Sequence, residues 1–135
     1  MEHAELVSLL GKNHAFESAP PGALEQLVEA AELTSLEDSS PLITQGRTGE
    51  SIWLLIDGEL DVFVDGDHVN HIDTQGEVVG EISAVSLTPA TATVQSKGRV
   101  EALRIPQASL HEVMKTSPQL AASILRSMAK YLGRR

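Results

Sequence analysis

The amino-acid sequence predicts a mainly β domain with helices at both ends, and three observations lead to this fold class. Apolar residues recur at helical spacing up to about Leu36 and again beyond Pro106. Between Pro41 and Ile105 the pattern changes to short β-type runs separated by glycine turns. A length of 135 residues fits one domain with a substantial core. Many short strands with regular turns favour an antiparallel sandwich or a jelly-roll-like barrel.

Residues 1–40 are predicted to form a helical lead-in. Leu6, Leu9 and Leu10 make one apolar stripe, and a second stripe follows the break at "ESAPPGALEQ". Pro21 suits the first turn of that second helix, where a missing N–H is tolerated.

Residues 41–105 are predicted to form a β-roll of about eight antiparallel strands. "IWLLI" (52–56) and "LDVFV" (60–64) are strand-like, and the turn at Asp57-Gly58-Glu59 separates them. Asp65-Gly66 and Lys97-Gly98 indicate two further turns.

Residues 106–135 are predicted to form closing helices. The last helix is expected to run from about Gln119 to Leu132 and to bury one apolar face, which consists of Leu120, Ile124, Leu125 and Met128. Such a face must lie on its own barrel or on another chain. Exposure of part of it would predict a homodimer through this helix.

Composition excludes several classes of protein. There is no cysteine, so a disulfide framework and a thiolate metal site are both excluded. We expect a cytoplasmic protein without a membrane span, because the chain has no signal-peptide pattern and no apolar run of about 20 residues. The net charge of −9 argues against nucleic-acid binding.

The charge is unevenly distributed along the chain. Residues 1–96 contain two basic residues, Lys12 and Arg47, and 17 acidic ones, a net charge of −15. Residues 97–135 contain eight basic and two acidic residues, a net charge of +6. This pattern favours an acidic body with a solvated basic helix, and leaves open that the basic part meets an anionic ligand or partner.

Several separated motifs then resemble one family, the cyclic nucleotide-binding domains. "ITQGRTGESIWLLIDGELDVFV" (43–64) resembles the family's glycine-punctuated hairpin, and "VGEISAVSLTPATATV" (79–94) resembles its phosphate-binding cassette. "HAFESAPPGALEQLVEAAE" and "IPQASLHEVMKTSPQLAASILRSMAKYL" are similar to its first and last helical segments. The resemblance covers nearly the whole chain and implies the family's β-roll.

The resemblance also implies a set of ligand-binding positions, namely Gly80, Glu81, Ile82, Ser83, Ala90, Thr91, Ala92 and Tyr131. Gly80 and Ala92 would offer backbone N–H groups, and Glu81 would accept the ribose 2′-hydroxyl. A short helix at Ile82–Val85 would direct its N-terminus at the cyclic phosphate. Thr91 matches a position where some relatives use a hydroxyl to favour syn guanine, and Tyr131 begins the segment that would cover the base.

One position departs from the family pattern. Ala90 stands where the family has the arginine that pairs with the cyclic phosphate, so this cassette contains no cation. Four arginines are candidates to replace it, namely Arg99, Arg104, Arg134 and Arg135.

The resulting functional prediction is a regulatory ligand-sensing module, not an enzyme, with no cofactor and with cyclic AMP or cyclic GMP as the implied ligand. Without the arginine, binding should be weak or altered. Two alternatives stay open: a pocket for a neutral nucleoside-like ligand, and a degenerate domain that serves as an interaction or dimerisation module. His68 and His71, beside Asp65, Asp67 and Asp73, are predicted to be solvated rather than to hold a metal.

Overall fold

The computed structural model describes the backbone of residues 1–132 and the side chains of residues 1–130, and this part contains five helices and six strands. The helices are α1 (His3–Lys12), α2 (Pro21–Ala30), α3 (Glu81–Ser86), α4 (Gln107–Thr116) and α5 (Pro118–Leu132). The strands are β1 (Glu32–Leu36), β2 (Pro41–Ile43), β3 (Ser51–Val64), β4 (Asp67–Ile72), β5 (Val78–Val79) and β6 (Thr93–Pro106).

All six strands belong to one antiparallel sheet. The order is β1-β6-β3-β4, with β2 also paired to β6 and β5 also paired to β3. This architecture confirms the predicted antiparallel β fold with helices at both ends, although the sheet of the described residues is not closed into a barrel, because β1 and β4 do not pair. The strand count of about eight is wrong, and β1 lies inside the segment 1–40 that was predicted to be helical.

The strand count is wrong because two dipeptides that were predicted to form turns, Asp57-Gly58 and Lys97-Gly98, lie inside long strands. β3 continues through Gly58, where the register with β6 shifts on both sides of Asp57. A Cβ on Gly58 would lie 2.7 Å from the carbonyl oxygen of Arg99, and φ is +106°. Asp57-Gly58 is therefore a bulge where β6 approaches closely, not a turn. Gly98 (φ +72°) likewise lies within β6.

Alternation along the strands divides the buried side chains into two clusters. Ile52, Leu54 and Ile56 of β3 pack with the helices, together with Phe16 and Leu27. The intervening residues face the other side of the sheet, where a cluster built from strands alone contains Trp53, Leu55, Leu60, Val79, Val94, Val100 and Ala102. Because successive side chains of a strand point to opposite faces, the sheet has apolar side chains on both of its faces.

The last helix follows the sequence prediction only in part. α5 begins at Pro118, and Leu120 and Ile124 are fully buried. Met128 is partly buried against the same core. Leu125, however, is 67% exposed, so its predicted burial is wrong. Within the described part of the chain, no helix is both long and apolar enough to cross a membrane.

Candidate ligand-binding site

Gly80 begins the segment on which the candidate site is built. Its backbone is left-handed (φ 86°), and it precedes α3 directly. A Cβ here would lie 2.8 Å from Cδ1 of Ile43 and 3.0 Å from the carbonyl oxygen of Ser51. Both the dihedral angle and the close approach therefore require glycine. α3 extends the short helix predicted at Ile82–Val85 by one residue at each end.

Ser83 fastens α3 to two neighbouring loops. Its buried hydroxyl accepts a hydrogen bond from the N–H of Gly49 (2.8 Å) and donates one to the carbonyl of Thr88 (2.5 Å). A Cβ on Gly49 would lie 2.8 Å from this same hydroxyl, so the β2–β3 loop packs tightly on the helix. Ser83 thus has a structural role in addition to its predicted ligand contact.

Ala90 is held by main-chain hydrogen bonds to the same loop. Its N–H donates to the carbonyl of Arg47 (2.7 Å), and its carbonyl accepts from the N–H of Gly46 (2.9 Å). Ala90 is 8% exposed. Arg47 therefore lies directly beside the position that lacks the arginine, although 43 residues separate the two along the chain. This neighbour was not predicted from the sequence, where the rarity of basic residues before residue 97 is the one feature that singles out Arg47.

These segments enclose a cavity of about 210 Å³, which we call the cassette cavity. The sheet lines it with Ile43, Val62, Val78, Val79 and Val94, and residues 80–83 and 88–92 complete the lining. Its largely apolar lining suits the flat faces of an organic ligand. Among the described residues that line it, Glu81 is the one ionisable group.

Burial raises the pKa of the Glu81 carboxyl above its ordinary value of 4.5. A hydrogen bond from its own backbone N–H and the nearby His14 act in the opposite direction, and Glu77 adds to the rise. A carboxyl in such a position can pair with a ligand hydroxyl, either as acceptor or, when protonated, as donor.

Seven of the eight predicted ligand residues lie on the cassette cavity, namely Gly80, Glu81, Ile82, Ser83, Ala90, Thr91 and Ala92. Their ligand contacts remain predictions. The backbone of Tyr131 belongs to α5, but its side chain lies outside the described part.

The candidate replacement cations lie elsewhere or outside the described residues. Arg99 is exposed and approaches Glu101 at 3.8 Å. Arg104 lines a second cavity together with Arg47. Arg134 and Arg135 fall outside the described residues.

A separate polar cluster covers the exposed side of the β3–β4 hairpin. Asp61 accepts hydrogen bonds from Nε2 of His68 (2.9 Å) and from Nδ1 of His71 (3.0 Å), and His71 Nε2 donates to Glu59 (2.9 Å). Ligand atoms of Glu59, His71 and Asp73 lie within 4.8 Å of one another. Hydrogen bonds between imidazole and carboxylate explain this grouping, and the absence of a metal here stays a prediction.

Comparison with known proteins agrees with this geometry. Residues 33–117 match the family model of the cyclic nucleotide-binding domain. The potassium channel AKT2 of Oryza sativa subsp. japonica is 30% identical over 95 residues, which is 67% of this chain and 11% of the channel. The matched region spans between 11% and 20% of the length of the curated relatives.

Solved structures share the fold. The sensor domain of the transcriptional regulator DNR from Pseudomonas aeruginosa superposes with a TM-score of 0.77 and 20% identity, over 93% of this chain and 92% of that one. A variant regulatory subunit of a cAMP-independent protein kinase A from Trypanosoma brucei gives a TM-score of 0.76 and 23% identity, over 85% and 43% of the two chains. With the family-model match over more than half of its length, this chain belongs to the cyclic nucleotide-binding domain family.

Proposed function

We propose that this chain is a regulatory ligand-sensing module whose cassette cavity takes a ligand of the cyclic nucleotide type, and takes it weakly. One observation carries the proposal: the cassette backbone is built around Gly80 and α3, yet no basic residue is among the described residues that line the cavity. The module keeps the shape of a nucleotide pocket and lacks its charge partner.

The energetic consequence of the missing arginine is large. Arginine offers phosphate a planar, permanently charged and bidentate contact, whereas alanine offers none. Removal of one partner of a desolvated charge pair costs about 2–5 kcal/mol, which is about 30-fold or more in affinity. Glu81 also disfavours an anionic ligand, because its ionised carboxylate would face the ligand without a cation in the described cavity lining.

The decisive experiment restores the cation. Calorimetry should show weak binding of cyclic AMP and cyclic GMP to the parent chain, and Ala90→Arg should strengthen it about tenfold to a thousandfold. If the Thr91 hydroxyl favours guanine, the affinity for cyclic GMP should rise more than the affinity for cyclic AMP. One neighbour supports the design: the Trypanosoma brucei variant, bound to cAMP in its A site, carries a threonine-to-arginine substitution.

Two controls make this experiment interpretable. Gln26→Arg adds the same charge at an exposed position of α2, far from the cassette in sequence, and should leave binding unchanged. Because Ala90 is buried, Thr91→Arg offers a second placement at an exposed position on the same cavity. Tight binding by the parent would contradict the clamp argument. If a folded Ala90→Arg and a folded Thr91→Arg both fail to bind, the cyclic nucleotide proposal is removed, and a nucleoside pocket or an interaction module is left.

A neutral nucleoside is the second candidate ligand. The absence of a cation from the described lining and the predominance of valine and isoleucine favour a molecule without a phosphate. Adenosine and guanosine belong in the same calorimetric panel. If the parent chain binds a nucleoside more tightly than the corresponding cyclic nucleotide, this second candidate is favoured.

A further inference from the structure

We propose that a second cavity, which shares Gly80 and Ser83 with the cassette cavity, is a site for a phosphate group. We call it the arginine cavity, since Arg47 and Arg104 line it. It has a volume of about 280 Å³ and shares Ile43, Gly80 and Ser83 with the cassette cavity. This inference does not depend on the proposed function, because neither arginine lines the cassette cavity.

The charge of the arginine cavity is opposite to that of the body around it. Arg47 is one of two basic residues among the first 96, and the fold brings it together with Arg104 of β6. Glu50 is the one acidic residue among the described lining. The lining thus contains two guanidinium groups and one carboxylate, with Glu32 beside Arg104 outside the lining, in a chain of net charge −9.

The donors of both arginines are largely available. The Nη1 of Arg104 lies 3.7 Å from Glu32, which is longer than the about 2.7–2.9 Å of a charge-assisted hydrogen bond. Glu32 is itself 72% exposed, so water competes for it. Arg47 is exposed, and its guanidinium enters no ion pair with the described residues.

A buried hydroxyl supplies an independent observation. Ser51 lines the arginine cavity and is 6% exposed, and its hydroxyl is the single buried side-chain polar atom without a hydrogen-bond partner in the described part of the chain. Buried polar groups are nearly always paired, so an unpaired one calls for an explanation, such as a bound water or ion. Thr44 and Thr48 add two more hydroxyls to the lining.

The donor set selects the chemistry of the ligand. Arginine forks and hydroxyl groups together suit the several oxygens of a phosphate better than the two oxygens of a carboxylate. Trp53, Leu42 and Ile43 form an apolar wall beside these donors. A phosphate monoester that places its organic part on this wall is therefore favoured over free phosphate.

Trp53 provides a direct readout. It is the one tryptophan of the chain, it lines the arginine cavity, and it does not line the cassette cavity. Titration with inorganic phosphate, ribose 5-phosphate and ribose, followed by tryptophan fluorescence and by calorimetry, separates the contributions of phosphate and organic part. We expect saturable binding of ribose 5-phosphate in the millimolar range or below, weaker binding of phosphate, and none of ribose.

Variants locate the binding. Arg47→Gln and Arg104→Gln should each weaken the binding of ribose 5-phosphate by about tenfold, since each removes a hydrogen bond to a charged group. Arg99→Gln is the matched control, because it removes the same charge from the same strand as Arg104 without touching the cavity. Glu32→Gln should strengthen binding modestly by releasing Arg104.

Three results would overturn the proposal: no saturable signal by either method, equal weakening by Arg99→Gln, or a change in ribose 5-phosphate affinity in Glu81→Gln, in either direction, as large as that in Arg47→Gln. The last of these would place the phosphate in the cassette cavity instead. If no cyclic nucleotide binds, the expected result of the ribose 5-phosphate titration stays the same, so the two proposals can be rejected separately.

Discussion

At the scale of single residues, Gly80 and Ala90 separate the shape of the cassette from its charge. Gly80 is required by its left-handed backbone and by the approach of Ile43 and Ser51. No such constraint selects alanine at position 90, because both hydrogen bonds of Ala90 to the β2–β3 loop are made by its main chain. The loop can therefore keep its conformation while the side chain at position 90 changes.

The requirement for glycine at position 80 is testable by urea unfolding. Gly80→Ala should lose about 1–2 kcal/mol from the left-handed dihedral angle and about 1–3 kcal/mol more from steric contact. Gly46→Ala is the matched control, since its φ is +88° and no atom lies within 4 Å of the added Cβ. Equal losses in the two variants would show that the contacts with Ile43 and Ser51 relax without energetic consequence.

At the scale of elements, the β3–β4 hairpin carries a hydrogen-bond network that responds to pH. Hydrogen bonds from His71 and then His68 lower the pKa of Asp61 below its ordinary value of 3.8. Hydrogen bonds to Asp61 and then Glu59 raise the pKa of His71 above 6.5. Each partner thus favours the charged form of the other.

The network predicts a specific pH dependence. The contribution of His71 is fully present below pH 6.5 and is lost as the pH rises through its raised pKa. The contribution of Asp61 is present above pH 3.8 and is lost as the pH falls through its lowered pKa. His71→Gln should therefore reduce the free energy of unfolding most between these two values.

Urea unfolding of the parent and His71→Gln across the acid and neutral range measures this difference. The effect should be small, because the hairpin side chains are solvated. His3→Gln, at the exposed first residue of α1, is the control for a histidine outside the network. A parent-to-variant difference that grows above neutral pH would contradict the assignment.

At the scale of the whole molecule, the helices that precede the sheet and those that follow it meet on one of its faces. α1, α2, α4 and α5 share a core with Ile52, Leu54 and Leu103. α5 is positioned by Leu120 and Ile124, yet it presents Leu125 to solvent. An exposed leucine on an otherwise docked helix is a candidate contact for a second copy of the chain.

We expect a homodimer through α5. Light scattering at high micromolar concentration should give twice the monomer mass for the parent and the monomer mass for Leu125→Glu, since a buried charge opposes association. Leu33→Glu is the control, because Leu33 is also exposed but lies on β1. A monomeric parent at that concentration would refute the dimer.

Local chemistry explains which predictions were correct. The helices at both ends of the strand region and the start of α2 at Pro21 depend on neighbouring residues, so the sequence reveals them. The short helix after Gly80 was implied by the resemblance to the family. The Asp57-Gly58 pair was misassigned because the same dipeptide suits a turn or a bulge. Only the partner strand, at Arg99, distinguishes the two.

The amino-acid sequence by itself determined the fold class, because this depends on residue identity and short-range spacing. Its resemblance to the family located the cassette segment, in which residue 90 is alanine. The tertiary structure decided which distant residues became neighbours. It placed Arg47 against the backbone of Ala90, joined Arg47 with Arg104 in one cavity, and left Leu125 outside the core. Strand pairing and helix docking set these contacts over long separations, which no local pattern encodes.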